Sequence, residues 1–188
     1  VKNVSRTGIS VGSSHSAHSW EGHGGRIPAD VKTNYGHTKV LIKNNFVDHA
    51  GGDGIVPQFC ISPVIEHNIC AAASQETTPG GGGSGQYSAG IWPWRCEDAV
   101  FQFNEAYGTK TNGDGQSYDC DSNRGTVYQY NYSHDNEGGF MLFCREQSLD
   151  SVVRYNVSQN DLRGLFVNSS TNGNHQIYNN TFYIGSGV

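Results

Sequence analysis

Six copies of one short unit, an apolar residue followed three positions later by asparagine, organise this chain: Ile42-Lys43-Asn44-Asn45, Ile65-Glu66-His67-Asn68, Phe101-Gln102-Phe103-Asn104, Tyr128-Gln129-Tyr130-Asn131, Val153-Arg154-Tyr155-Asn156 and Ile177-Tyr178-Asn179-Asn180. Their final asparagines lie 23, 36, 27, 25 and 24 residues apart, a period near 24 with one interruption. A fixed period of this size marks a solenoid, whose coils cannot bury an apolar face alone and must stack. The long interval contains Gln75-Glu76-Thr77-Thr78-Pro79 and Gly80 to Gly83, so a loop inserted over about 73–88 is expected there. A second unit opens on glycine: Gly54-Ile55-Val56-Pro57, Gly90-Ile91-Trp92-Pro93, Gly115-Gln116-Ser117-Tyr118, Gly139-Phe140-Met141-Leu142 and Gly164-Leu165-Phe166-Val167, with Gly8-Ile9-Ser10-Val11 as an earlier copy. Each period then holds two or three short alternating strands, and nothing repeats at the 3.6-residue spacing of a helix.

Composition narrows the reading further. Glycine makes up 25 of the 188 residues and only 15% are charged, against an ordinary ~25% charged, which disfavours coiled coils and helical bundles. The length fits one domain, 1–188. With 12 Lys and Arg and a net charge of −5, the chain lacks the basic surface that neutralises many phosphates, and nucleic acid is not an expected partner. No stretch approaches the ~18 apolar residues of a membrane span, and the opening residues VKNVSRTGIS show no basic-then-apolar leader. Both ends fall inside repeat units, so the chain is expected to be a fragment of a longer protein, truncated at both ends and monomeric. Five cysteines do not make the even-numbered framework of a disulfide scaffold.

Residues one period apart in stacked β-coils sit ~4.8 Å from one another. The asparagines should therefore form a ladder of turn residues, and Cys96, Cys120 and Cys144, 24 apart twice over, should lie on neighbouring coils without any need to be bridged. The repeat resembles those of right-handed parallel β-helices in the pectate-lyase-like superfamily. That resemblance implies an all-β, right-handed parallel β-helix over nearly the whole chain. Its members include polysaccharide lyases, glycoside hydrolases, sugar epimerases, phage tailspikes and adhesins, which implies a carbohydrate partner and a secreted or cell-surface location without choosing among activities.

Aligning the second unit on its glycine predicts that positions one and three, Ile55/Pro57, Ile91/Pro93, Phe140/Leu142 and Leu165/Val167, point inward. Side chains two apart on a strand share a face, so Trp92, Trp94, Asp119, Asp121 and Arg145 are expected on one exposed surface. Indole faces suit sugar C–H faces and carboxylates suit proton transfer. Asp119 and Asp121 are the expected catalytic pair, about 6.5–7 Å apart by strand rise, a separation between those of retaining and inverting glycosidases. Glu137 is the reserve acid, while Trp92, Trp94, Arg145, His134 and Asp135 are expected to bind substrate.

Each of these has a plainer reading. Asp119-Cys120-Asp121-Ser122-Asn123 also reads as a strand end entering an Asx-rich turn. The indoles also suit packing beneath the glycine-rich loop, and Tyr132 to Gly139 suits a turn. Asp53-Gly54 and Asp114-Gly115 read as turn pairs in equivalent columns. His15, His18 and His23, with Glu21 among them, occupy a Ser/Gly-rich stretch that suits an overhanging loop better than a zinc site. Polygalacturonase elements are represented by Gly22-His23-Gly24 alone. No cofactor is expected, except calcium if the chain were a lyase, with Asp119, Asp121 and Arg145 imitating an acidic cluster and base. The expected function is a glycoside hydrolase acting on a polysaccharide or oligosaccharide, the alternatives being a polysaccharide lyase and a noncatalytic glycan-binding module.

Overall fold

The computed structural model describes residues 1–12, 36–76, 87–111, 113–145, 148–170 and 172–188. These build a β-solenoid in which every strand pair is parallel. The first sheet stacks seven strands: Lys2–Val4, Phe46–Ala50, Ile69–Ala71, Glu105–Tyr107, Tyr132–His134, Val157–Gln159 and Thr181–Tyr183. The second stacks six: Leu41–Lys43, Val64–Glu66, Val100–Gln102, Val127–Gln129, Val152–Arg154 and Gln176–Tyr178. In the third, Ile9–Gly12 and Ile55–Gln58 connect through bridges at Ile91 and Trp94 to Tyr118–Asp121, Met141–Cys144 and Phe166–Asn168. Each coil runs from the second sheet through an asparagine corner into the first sheet, and then through the third.

The apolar residue of each repeat unit is the central residue of a second-sheet strand; Ile65, Phe101, Tyr128 and Val153 are fully buried in the core, while Ile177 on the last coil is exposed. Val47, Cys70 and Ala106 from the first sheet, with Ile55, Ile91, Tyr118 and Met141 from the third, complete the same cluster. The asparagines form a continuous ladder. In Asn104, the backbone N–H and Nδ2 both donate to Asn131 Oδ1, at 3.0 and 3.1 Å, while Nδ2 also donates to Ile65 O at 2.8 Å. Asn131 repeats this toward Asn156 and Phe101 O, and Asn156 toward Asn180 and Tyr128 O.

The corner geometry differs from a simple left-handed asparagine. The inner ladder asparagines, Asn68, Asn104, Asn131 and Asn156, are buried, and the residue before each ladder asparagine takes the left-handed conformation: Asn44, His67, Phe103, Tyr130, Tyr155 and Asn179, all with φ of 53–58°. This conformation is costly for aromatic residues and persists only where the surroundings over-determine it. Here the ladder behind and the stacked rings outside do so, with His67 on Phe103, Phe103 on Tyr130 and Tyr130 on Tyr155 at centroid distances of 5.0, 5.2 and 5.4 Å. The other corners obey the same rule, as in the column Phe59, Arg95, Ser122 and Arg145 at the end of the third sheet.

Alignment on glycine misplaces the third sheet. Ile55, Ile91, Tyr118 and Met141 are true neighbours across successive coils, and they follow their glycines by one, one, three and two residues. Met141 and Phe143 therefore join the core cluster, while Leu142 takes the outer column beside Asp119. The equal spacing of the cysteines is likewise not a register. Cys120 pairs with Phe143, Cys144 lies beside Asp121, and the Cys96 N–H donates to Asn123 Oδ1 at 2.6 Å. All five cysteines are unbridged. Gly80 to Gly83, and His15, His18, His23 and Glu21, lie outside the described residues.

Candidate active site

The third sheet gathers the candidate residues on its outer side. Trp92 and Asp119 share one column, with Leu142 next in line; Gln58, Trp94, Asp121 and Cys144 share the next outward column. The two indoles and two aspartates expected on one side are thus brought together, although the glycine alignment that predicts it is shifted. Their exposure is less than expected. Asp119 is 4% and Trp92 8% exposed, because the column between them and beyond them is filled with bulky side chains: Leu142 is itself buried, and Trp92 packs with Val56 and Ala89.

A cleft of about 260 Å³ opens over this side, lined by Asp121, Arg145, Trp92, Trp94, Gln58, Val56, Asp53, Tyr87, Arg6 and Thr7. Asp121 stands at the strand end. Its Oδ1 accepts from Ser122 Oγ at 2.7 Å and from Arg145 Nε at 3.3 Å. Burial raises its carboxyl above the ordinary range, and Ser122, Arg145 and Arg95 offset that by favouring the ionised form. Arg95 and Arg145 occupy the left-handed corner column immediately past the strand, and the Arg95 guanidinium lies 5.7 Å from the Trp94 ring centre. Trp94 meets Phe59 edge to face at 5.4 Å.

Asp114 approaches Asp121 from the turn before the strand. Thr111 Oγ1 donates to its carbonyl at 2.6 Å, and the following Gly115 N–H donates to Ser88 O at 2.9 Å. Burial pushes the Asp114 carboxyl up to about 6, the charge of Asp121 adding to the rise and Arg163 opposing it. Asp119 lies deeper. Its Oδ1 accepts the Cys120 N–H at 2.5 Å, and burial, with the charges of Asp121 and Asp114, pushes its carboxyl well up. Three carboxyl groups in one electrostatic cluster thus differ in surroundings: one beside cations, one half-buried at about 6, and one fully enclosed. Environments that separate neighbouring carboxyls in this way assign acid and base roles.

The remaining expected site residues lie elsewhere. His134 ends a first-sheet strand, its ring between those of Tyr107 and Tyr132, each at 4.6 Å. Its Nδ1 meets Asp135 Oδ2 at 2.7 Å and its Nε2 meets Glu105 Oε1 at 3.1 Å. Glu137 pairs with Lys110 at 2.5 Å, which holds its carboxyl below the usual range. Glu137 and Asp135 line a separate cleft with Lys110, Asn160 and Leu162. Asp53 and Asp114 escape a sequence reading because each precedes a glycine and resembles a turn pair; the register also separates them, since Asp53 precedes the column of Gly54, Gly90 and Ser117. Among the described residues, no three His, Cys, Asp or Glu side chains converge as a metal site.

No family model matches the chain. Over an alignment of 196 positions covering 98% of the chain, it is 44% identical to a lacto-N-biosidase of Bifidobacterium longum subsp. longum, spanning 12% of that protein. Its fold matches the native crystal structure of a GH136 lacto-N-biosidase from Eubacterium ramulus with a TM-score of 0.88 and 38% identity, over 97% of this chain and 30% of that one. The selenomethionine form of the same enzyme matches with a TM-score of 0.83 and 32% identity, over 96% and 34%. The chain is therefore similar in sequence and in fold to one segment of GH136 lacto-N-biosidases, and it spans about a third or less of their length.

Proposed function

We propose that this chain is the cleft-bearing part of a glycoside hydrolase that acts on oligosaccharides in the manner of the lacto-N-biosidases it resembles. The observation that carries the reading is Asp121 on the wall of an indole-lined cleft, with the half-buried carboxyl of Asp114 near enough for the charge of Asp121 to raise it. Arg145 and Ser122 favour Asp121 as a carboxylate and offset part of the rise that burial gives it, whereas Asp114, raised to about 6, keeps its proton into weakly acidic solution, well above the range of an ordinary aspartate. That division supplies a general acid for the departing sugar oxygen and an anion for the developing positive charge at the anomeric carbon. Trp94, with Tyr87 and Gln58 on the same cleft wall, offers an apolar face and polar atoms for a sugar ring. Asp119 stands behind them as an enclosed carboxyl whose own proton affinity is raised by burial and by their charges.

Similarity to GH136 lacto-N-biosidases favours hydrolysis over the lyase alternative, and no calcium enters the mechanism. The stacked coils fit the pectate-lyase-like superfamily, and an oligosaccharide substrate fits a secreted or cell-surface protein. The test is product analysis with the whole protein on a panel of oligosaccharides. A saturated disaccharide product, lost in Asp121→Asn, is the expected result. An unsaturated product would indicate a lyase, and retention of bound glycan with no cleavage would indicate a binding module.

A further inference from the structure

Asp53 has the sequence signature of a turn residue but does not behave as one. A turn aspartate bonds its own backbone within two or three residues. The Asp53 carboxylate instead accepts from Trp92 Nε1 at 2.8 Å, from the Ala89 N–H at 3.3 Å and from Thr7 Oγ1 at 3.5 Å, partners 39, 36 and 46 residues away on the coils to either side. The Gly54 N–H next to it donates to Ala89 O at 3.2 Å, so both backbone groups of Ala89 are held by consecutive residues of one turn. That turn has no room to shift: a Cβ on Gly54 would meet Cys70 Sγ at 2.1 Å and Gly90 O at 2.4 Å.

From this geometry, and resting on the glycoside hydrolase reading, we propose that Asp53 is a positioning residue that locks the Trp92 indole and the Ala89 segment into one rigid wall of the sugar-binding cleft. Its reach is direct, since Asp53 and Trp92 both line that cleft with Trp94 and Tyr87. A wall fixed before the sugar arrives spares the complex the cost of ordering it, and this saving appears in substrate affinity more than in the bond-breaking step. A merely structural role would change the amount of folded protein and leave the affinity of the folded fraction alone.

The test compares Asp53→Leu, Asp53→Asn and Trp92→Phe in the whole protein, with folding checked by circular dichroism and kinetics on an oligosaccharide the wild type cleaves. Asp53→Leu is expected to raise KM about tenfold while kcat moves much less. Asp53→Asn, whose amide oxygen still accepts from the indole, is expected to recover most of that loss. Trp92→Phe removes the donor from the other side of the bond; it is expected to raise KM by itself and to make Asp53→Asn nearly silent in the double variant. If Asp53→Leu fails to fold, the Asn and Phe variants carry the test. An unmoved KM in Trp92→Phe, or an Asn effect unchanged in the Phe background, would overturn the positioning role alone, provided Asp121→Asn abolishes turnover. Turnover surviving in Asp121→Asn would overturn the catalytic role of Asp121 instead, and an unsaturated product from the wild type would overturn the hydrolase reading.

Discussion

Replacing Asp114 with asparagine should harm activity and help stability at the same time. The carboxyl titrates at about 6 in the folded protein against an ordinary 3.8. A rise of that size corresponds to about 3 kcal/mol of penalty on the ionised form. The sign follows from proton linkage: the folded state holds the proton more tightly than the unfolded chain, so stability is full below the unfolded pKa and falls as pH rises from about 4 through about 6. The amide of the Asp114→Asn variant carries no such charge at any pH. The variant should match the wild type at pH 3.5 and exceed it by about 2–3 kcal/mol at pH 7 in urea unfolding, the upper figure holding if water does not penetrate the site. Turnover should fall by roughly 10²–10⁴, the usual worth of a positioned acid, and the wild-type alkaline limb of kcat/KM should lie near pH 6. Equal stabilities at pH 7, a difference independent of pH, or full activity in the variant would refute the argument.

Other perturbations separate the ladder from the cleft. Asn131→Ala removes the acceptor of the Asn104 N–H and Nδ2 and the donor to Phe101 O; with several buried groups orphaned at roughly 1–3 kcal/mol each, it should cost at least about 3 kcal/mol in urea unfolding. Asn45→Ala, at the end of the ladder where nothing donates to its side chain among the described bonds, should cost about 1 kcal/mol. Glu137→Gln disrupts a solvent-exposed pair with Lys110 worth at most ~1 kcal/mol and lies outside the Asp121 cleft, so turnover measured beside Asp121→Asn should be retained. Because the five cysteines are unbridged, thiol titration of denatured, unreduced protein should return five per chain, and a lower count would show cross-linking between coils.

The stacked coils are legible in the sequence because the asparagine repeat does one physical job at every turn: an amide that satisfies the coil on each side must recur at the coil period. The side of the sheet bearing Trp94 and Asp121 is legible too, since Tyr118 is displaced from the glycine alignment by two residues, which keeps the alternation, whereas the one-residue displacement at Met141 turns Leu142 outward. What escapes is register. Glycine offers itself as the fixed point of the third sheet, but Gly115 sits at φ 88° packed on Lys110 O, whereas Gly54 and Gly90 are placed by close approach to backbone carbonyls in the neighbouring coil. The same residue type serves two purposes, and its column shifts accordingly. Asp53 and Asp114 are hidden for a related reason, because an Asp-Gly pair looks alike whether its carboxylate bonds its own turn or reaches another coil. Nearness in sequence draws His134 and Glu137 toward the site, although a first-sheet strand and its turn put them on another side of the coil.

The corners also say where such a chain can be altered. Each coil closes through the same few left-handed residues and one ladder amide, while the number of residues between those points varies from 23 to 36. Length is therefore free where the ladder is not: the long interval runs from Asn68 to Asn104, and Tyr87 within it lines the cleft. A frame of this kind separates inheritance from adaptation. An interval of different length can be accommodated there without disturbing the amide column that holds the stack together.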